Sequence, residues 1–185
     1  MRSMRRSDGS GQLNNLVMPG DDALFSIRRA RVEDAPVIAW HRARKFQDMG
    51  EIPPTTFEEL RKETELWTER ALASGEYVGW FGVAKTRPDA IAGGAGVQLR
   101  QVPPHPRRPL RDGAIAKGRH AIVLNVFTEP EWRRRGLALL LMQEIMRWAR
   151  AQQLDQVVLH ASSEARRLYE RLGFVATNEM RFAGD

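Results

Sequence analysis

The chain has 185 residues, 42% hydrophobic and 28% charged, a balance that suits one soluble globular domain with a core of ordinary size. It contains no cysteine, which excludes disulfides, thiolate metal sites and a cysteine nucleophile together, and its four histidines (His41, His105, His120, His160) show no metal-ligand spacing. The net charge of +6 invites a polyanionic partner, while no apolar run is long enough to span a bilayer and no signal segment opens the chain, so the expectation is a cytoplasmic protein with no membrane partner.

Residues 1–22, rich in Ser, Gly, Asn, Asp and Arg and without periodicity, read as a disordered extension ahead of a single domain over 23–185. Phe25-Ser26-Ile27-Arg28 alternates apolar and polar residues as a strand does. Glu33 and Asp34 open a helix carrying Val37, Ile38 and Trp40, with Pro36 in its first turn, and Gly50 and Pro53-Pro54 break the pattern. Thr56 and Glu59 have capping-box spacing for a second helix from about Phe57 to Ala73, ended by Ser74-Gly75. Tyr77–Thr86 and Ile91–Leu99 are strand-like and flank Arg87-Pro88-Asp89, which predicts an antiparallel hairpin. Gly93-Gly94-Ala95-Gly96 lacks the third glycine and the following helix of a dinucleotide loop, so a strand bulge is the better reading.

Gln101–Gly118 mixes Pro103, Pro104, Pro106 and Pro109 with arginines and reads as a long exposed loop, either functional or a plain insertion. His120–Thr128 is a continuous apolar strand suited to the middle of a sheet. A strong helix over Leu137–Ala151, a strand over Gln156–His160, a helix over Glu164–Leu172 and a closing strand over Phe174–Phe182 complete the chain. The order βααβββαβαβ predicts an α/β (α+β) fold with a mixed central sheet whose front half is antiparallel.

The informative stretch runs from Leu124 into the long helix that begins after Arg133-Arg134-Arg135-Gly136. A helix start presents backbone N–H groups without intrahelical partners at the positive end of the dipole, where phosphates bind. Gly136 would let backbone approach a pyrophosphate, Ala138 keeps the next turn lean, and three arginines add donors. Asn125 is polar inside an apolar strand; it could position an amine or a water, or satisfy a neighbouring backbone group.

Arg133-x-x-Gly136-x-Ala138, with Pro130 before it, is similar to the acetyl-CoA signature Q/R-x-x-G-x-G/A of the GCN5-related N-acetyltransferase (GNAT) superfamily. Ala165-Arg166-Arg167-Leu168-Tyr169-Glu170-Arg171-Leu172-Gly173-Phe174 resembles that family's later A-x-x-L-Y-E-x-x-G-F block. The resemblance covers roughly Phe25 to Phe182 and implies a GNAT-like sheet with splayed central strands. It implies that the backbone of Val126, Phe127 and Thr128 holds the pantetheine arm and polarises the thioester carbonyl, a sensible use of donors aimed at a developing oxyanion. Arg133, Arg134, Arg135, Gly136, Leu137 and Ala138 would hold the pyrophosphate, and Tyr169 would protonate the leaving thiolate. Tyr169 could equally pack its ring, and Gly173 is better read as a helix end. Ser162 stands where relatives carry a cofactor-binding asparagine, and no carboxylate occurs between His120 and Val126, where some place a base.

The expectation is therefore an N-acetyltransferase that moves an acetyl group from acetyl-CoA, used as acyl donor without a metal, directly to a small-molecule or peptide amine. The alternative is a catalytically silent acetyl-CoA-binding module. Nucleic acid is the least favoured partner, because neither the N-terminal arginines nor the loop arginines are interleaved with aromatics; a homodimer is the oligomer that general statistics favour. For the amine's proton the sequence offers only remote carboxylates such as Glu51 or Glu179, a water chain or bulk solvent.

Overall fold

The computed structural model describes residues 24–106, 113–177 and 180. Strand β1 (Phe25–Arg29) is followed by helices α1 (Ala35–Asp48) and α2 (Phe57–Ser74), then β2 (Tyr77–Ala84) and β3 (Ile91–Gln101). Two short strands, β4 (His105–Pro106) and β5 (Ile115–Ala116), precede β6 (Arg119–Thr128), α3 (Leu137–Ala151), β7 (Gln156–Leu159) and α4 (Arg166–Arg171). The main sheet has the order β1-β2-β3-β6-β7. Its first three pairings are antiparallel and β6–β7 is parallel, which is the mixed sheet with an antiparallel front half that the element order predicts.

Strand alternation sends side chains to two cores. On one face Trp80, Val97, Ala121 and Val123 pack with Leu137, Leu141, Met142 and Ile145 of α3 and with Tyr169 of α4. On the other, Tyr77 and Phe81 pack with Ile38 of α1 and Ala71 of α2, with Leu124 against them. The apolar positions of α3 recur at helical spacing, and its observed limits coincide with those read from the sequence.

Several expectations change in detail. The capping box at Thr56 does not form. The chain enters α2 through a 3-10 turn over Pro54–Thr56, Thr56 already has helical dihedrals, and its side chain makes no cap bond. Gln101–Gly118 is not a featureless loop: His105 pairs with Ala116 and Pro106 with Ile115, and Val102 N–H bonds Gly118 O at 2.9 Å. Helix α4 starts at Arg166 rather than Glu164, because the chain turns at Ser162, whose Oγ accepts Ala165 N–H at 3.4 Å. Residues 174–177 form no strand. The rest of the expected closing strand, apart from Met180, lies outside the described residues, as do the 1–22 extension and the 107–112 arginines.

The expected bulge exists, but its extra residue sits on the partner strand. Gly94 pairs with Phe127 and Gly96 with Leu124, so two residues of β6 oppose Ala95 alone. One of them, Asn125, is held at φ 57.

Candidate functional site

Strand β6 is paired with β7 only from His120↔Gln156 to Val123↔Leu159, where β7 ends. It then continues to Thr128 with β3 on one side and no strand on the other among the described residues. The stretch Leu124–Thr128, which includes Val126, Phe127 and Thr128, thus runs along a side of the sheet where no described strand pairs with it. Buried backbone polar groups need partners, so an extended ligand can bond there.

Directly downstream the chain makes a 3-10 turn over Pro130–Trp132 and reaches the N-cap of α3 at Gly136. Gly136 has φ 85, a left-handed conformation that costs a side-chain-bearing residue strain, and no atom stands within 4 Å of where a Cβ would be. It offers no side-chain cap, and the first bond back into the turn is Leu140 N–H to Gly136 O at 3.1 Å. The N–H groups of Leu137, Ala138 and Leu139 therefore belong to the free first turn. Arg133, Arg134, Arg135 and Gly136 are exposed, so an anion has access to that turn. Arg134 also has positive φ, at 63.

The three arginines are not equivalent. Arg133 Nη2 pairs with Asp48 of α1 at 2.6 Å, and its Nε donates to Thr128 O at 3.0 Å. Arg44 shares the same Asp48 at 3.0 Å. Arg133 therefore braces the turn against α1 with its charge already matched. Arg135 lies over the Trp132 ring at 5.1 Å. Arg134 and Arg135 are the two with charge to spare for a phosphate.

On the α1 face the bulge carries a buried polar chain. Asn125, 4% exposed, donates from Nδ2 to the Tyr77 hydroxyl at 3.2 Å and accepts from Arg42 Nη1 at 2.8 Å. Gly96 makes room for it, since a Cβ there would run into the Tyr77 hydroxyl. Burial pushes the Tyr77 phenol up to about 12, so it stays protonated. One turn before Lys45, His41 is 2% exposed and sets Nε2 at 3.2 Å from Glu129 Oε1. Its ring packs on Phe127 at 4.9 Å. Burial pushes His41 down to about 4 and raises Glu129, to which the neighbouring Glu131 charge adds, so a neutral imidazole lies beside the carboxylate.

Tyr169 lies on the opposite face, 8% exposed in the α3-side core, edge-on to Phe174 at 6.0 Å. Burial raises its pKa, which keeps a proton on the phenol. The two side chains read as catalytic, Asn125 and Tyr169, therefore lie on opposite faces of the sheet and not against each other. Ser162 turns the chain into α4. Glu51 is felt by Lys45, and Glu179 lies outside the described residues.

Sequence reasoning did not connect His41, Arg42, Tyr77 and Glu129 with the site. The signals were a histidine and an arginine on the apolar side of a helix, and a carboxylate just past the strand.

Residues 36–174 match the model of the acetyltransferase (GNAT) family. Among solved structures, a GCN5-related N-acetyltransferase from Ralstonia eutropha is 27% identical with a TM-score of 0.73, covering 86% of this chain and 99% of that one. A predicted acetyltransferase from Clostridium acetobutylicum, solved with acetyl-CoA, is 24% identical with a TM-score of 0.71, covering 86% and 96%. An aminoglycoside N-acetyltransferase in complex with CoA shares the fold at 18% identity, with a TM-score of 0.59 and coverage of 87% and 94%. A search of the curated proteins gave no match.

Proposed function

The chain belongs to the GNAT acetyltransferase family, and we propose that it transfers an acetyl group from acetyl-CoA directly to the amine of a small molecule or peptide. The observation that carries this reading is the open run of β6 past Leu159 leading straight to the exposed, side-chain-free cap of α3 at Gly136. An extended arm beside Leu124–Thr128 and a pyrophosphate over residues 134–138 fit that continuity, and the Clostridium acetobutylicum relative was solved with acetyl-CoA. In this reading Arg133 holds the turn in place, while Arg134, Arg135 and the N–H groups of Leu137 and Ala138 face the phosphates.

The amine nitrogen attacks the thioester carbonyl, its C–S bond breaks, and the amide forms. Backbone N–H groups at Val126–Thr128 stabilise the carbonyl oxygen as it gains charge. Tyr169, protonated by burial, gives its proton to the leaving sulfur. The amine sheds its own proton to water, since no carboxylate bonds Asn125, Arg42 or Tyr77 among the described residues. With no cysteine in the chain, a cysteinyl-acyl intermediate has no place.

Among the described residues no carboxylate bonds the side chains at the bulge, which favours a second reading, a module that holds acetyl-CoA without turning it over. Calorimetric titration with acetyl-CoA tests the donor site and free-thiol release with added amines separates the two readings. The wild type should bind, and an Arg135→Glu/Gly136→Asp variant with unchanged circular dichroism should bind at least about tenfold more weakly, or about 1.4 kcal/mol. A folded wild type that binds no acetyl-CoA would remove both readings.

A further inference from the structure

Most cations around α1 are matched by a carboxylate. Arg28 pairs with Asp34 at 2.7 Å, and Arg44 and Arg133 share Asp48. Arg42 and Lys45 are the exception. They stand three residues apart in α1, so they emerge on the same side of the helix. Both heads sit over one ring, with Arg42 at 4.9 Å and Lys45 at 4.7 Å from the centre of Phe46. Neither has a carboxylate within ion-pair distance among the described residues; Glu51 is felt by Lys45 only from farther away. The hydrogen-bond partner of Arg42 is the neutral amide oxygen of Asn125, at the bulge.

Two half-buried like charges side by side are costly unless an anion answers them. Desolvation lowers the pKa of both, and the Arg42 charge lowers Lys45 further. The C-terminal end of the helix dipole favours Lys45, which lies in the last turn of α1, but it gives no reason for Arg42 to turn inward to Asn125. A purely structural tie to Asn125 would need only a neutral donor.

We propose that Arg42 and Lys45 form an acceptor subsite for an oxyanion, a carboxylate or a phosphate monoester, carried close to the amine that is acetylated. The substrate class is thus anionic amines, not polyamines or other polycations. This rests on the reading of the β6 bulge as the point of acyl transfer. With Arg42 bonded to Asn125 at 2.8 Å, an anion held there brings an amine close by to the open strand segment. Arg supplies a planar fork and Lys a point charge, so either oxyanion is served.

The test compares matched acceptors with the full chain and acetyl-CoA, following free thiol: leucine against leucinamide for the carboxylate, glucosamine 6-phosphate against glucosamine for the phosphate, and spermidine as the polycation. In the wild type at least one anionic member should exceed its neutral partner in kcat/KM by about tenfold or more, the scale of a charge-assisted bond. That ratio should fall towards one in Lys45→Gln, which leaves the Arg42–Asn125 bond in place, and in Arg42→Gln/Lys45→Gln. Preference for spermidine or the neutral amines, or a ratio untouched by both variants, would overturn the subsite. Thermal shift with the same compounds needs no turnover: stabilisation by an anionic member that disappears in Lys45→Gln supports the subsite, and no shift with either anion refutes it. Failure to bind acetyl-CoA would instead strike the acetyltransferase reading, leaving the subsite to be judged on the thermal shifts.

Discussion

Lowering the pH should unfold this protein partly through one residue, His41. Its imidazole is 2% exposed and lies against Phe127 and Phe81, and burial moves its pKa from 6.5 to about 4. The native pKa is depressed, so between those values the unfolded chain takes up a proton at this position that the native chain does not. The stability involved is therefore fully present above about pH 6.5 and is lost as the pH falls through about 4. At about 1.4 kcal/mol per pH unit the shift is worth about 3 kcal/mol. Glu129 works in the opposite sense: its raised carboxyl binds its proton earlier in the native state and offsets part of the loss. It also discharges as the imidazole becomes charged, so it cannot then act as a counter-ion. Replacing His41 by Phe keeps the ring packing and removes the titration. Urea unfolding followed by tryptophan fluorescence between about pH 7 and about pH 4 should show the wild type losing about 3 kcal/mol more than His41→Phe. Parallel stability–pH curves for the two proteins would refute the assignment of a buried neutral imidazole.

Tyr169→Phe should leave the melting temperature nearly unchanged, since the ring stays packed on Phe174, and should lower kcat by about 100-fold if the phenol protonates the thiolate; an unchanged kcat would reduce Tyr169 to a packing ring. Gly96→Ala, a substitution that stabilises many proteins, should here destabilise by about 1–3 kcal/mol, because its Cβ would collide with the buried Tyr77 hydroxyl. A thermal melt decides it, and an unshifted or raised midpoint would show that Tyr77 is not held against β3.

The fold was legible where local signals and burial agree. Helix α3 declares itself through apolar residues at helical spacing behind Gly136, and its limits were read correctly. The proposed donor side was legible for the same reason, since a strand, a turn and a helix start are consecutive in the chain. The proposed acceptor side was not. Arg42 acquires meaning only by touching Asn125, 83 residues away, and His41 only by meeting Glu129. Nothing in the local sequence separates Arg133 from Arg134 and Arg135; the distinction comes from Asp48, in a helix on the far side of the sheet from α3. Spacing promised a cap at Thr56, but the preceding 3-10 turn had already set the backbone.

The extra residue in β6 also changes the parity of the strand. Before it, odd-numbered positions such as Ala121 and Val123 face α3, and Leu124 faces α1 and α2. After it the assignment inverts: Val126 packs towards α3, and Phe127 meets His41 of α1. Deleting Asn125 would therefore restore strict alternation and leave Val126 towards α3 and Phe127 towards α1, whereas keeping the residue and forcing regular pairing would turn Val126, Phe127 and Thr128 over, placing Phe127 in the α3 core and Val126 against α1. For the same reason, a library that assigns inward and outward positions by simple alternation along β6 would randomise the wrong face from residue 125 onward.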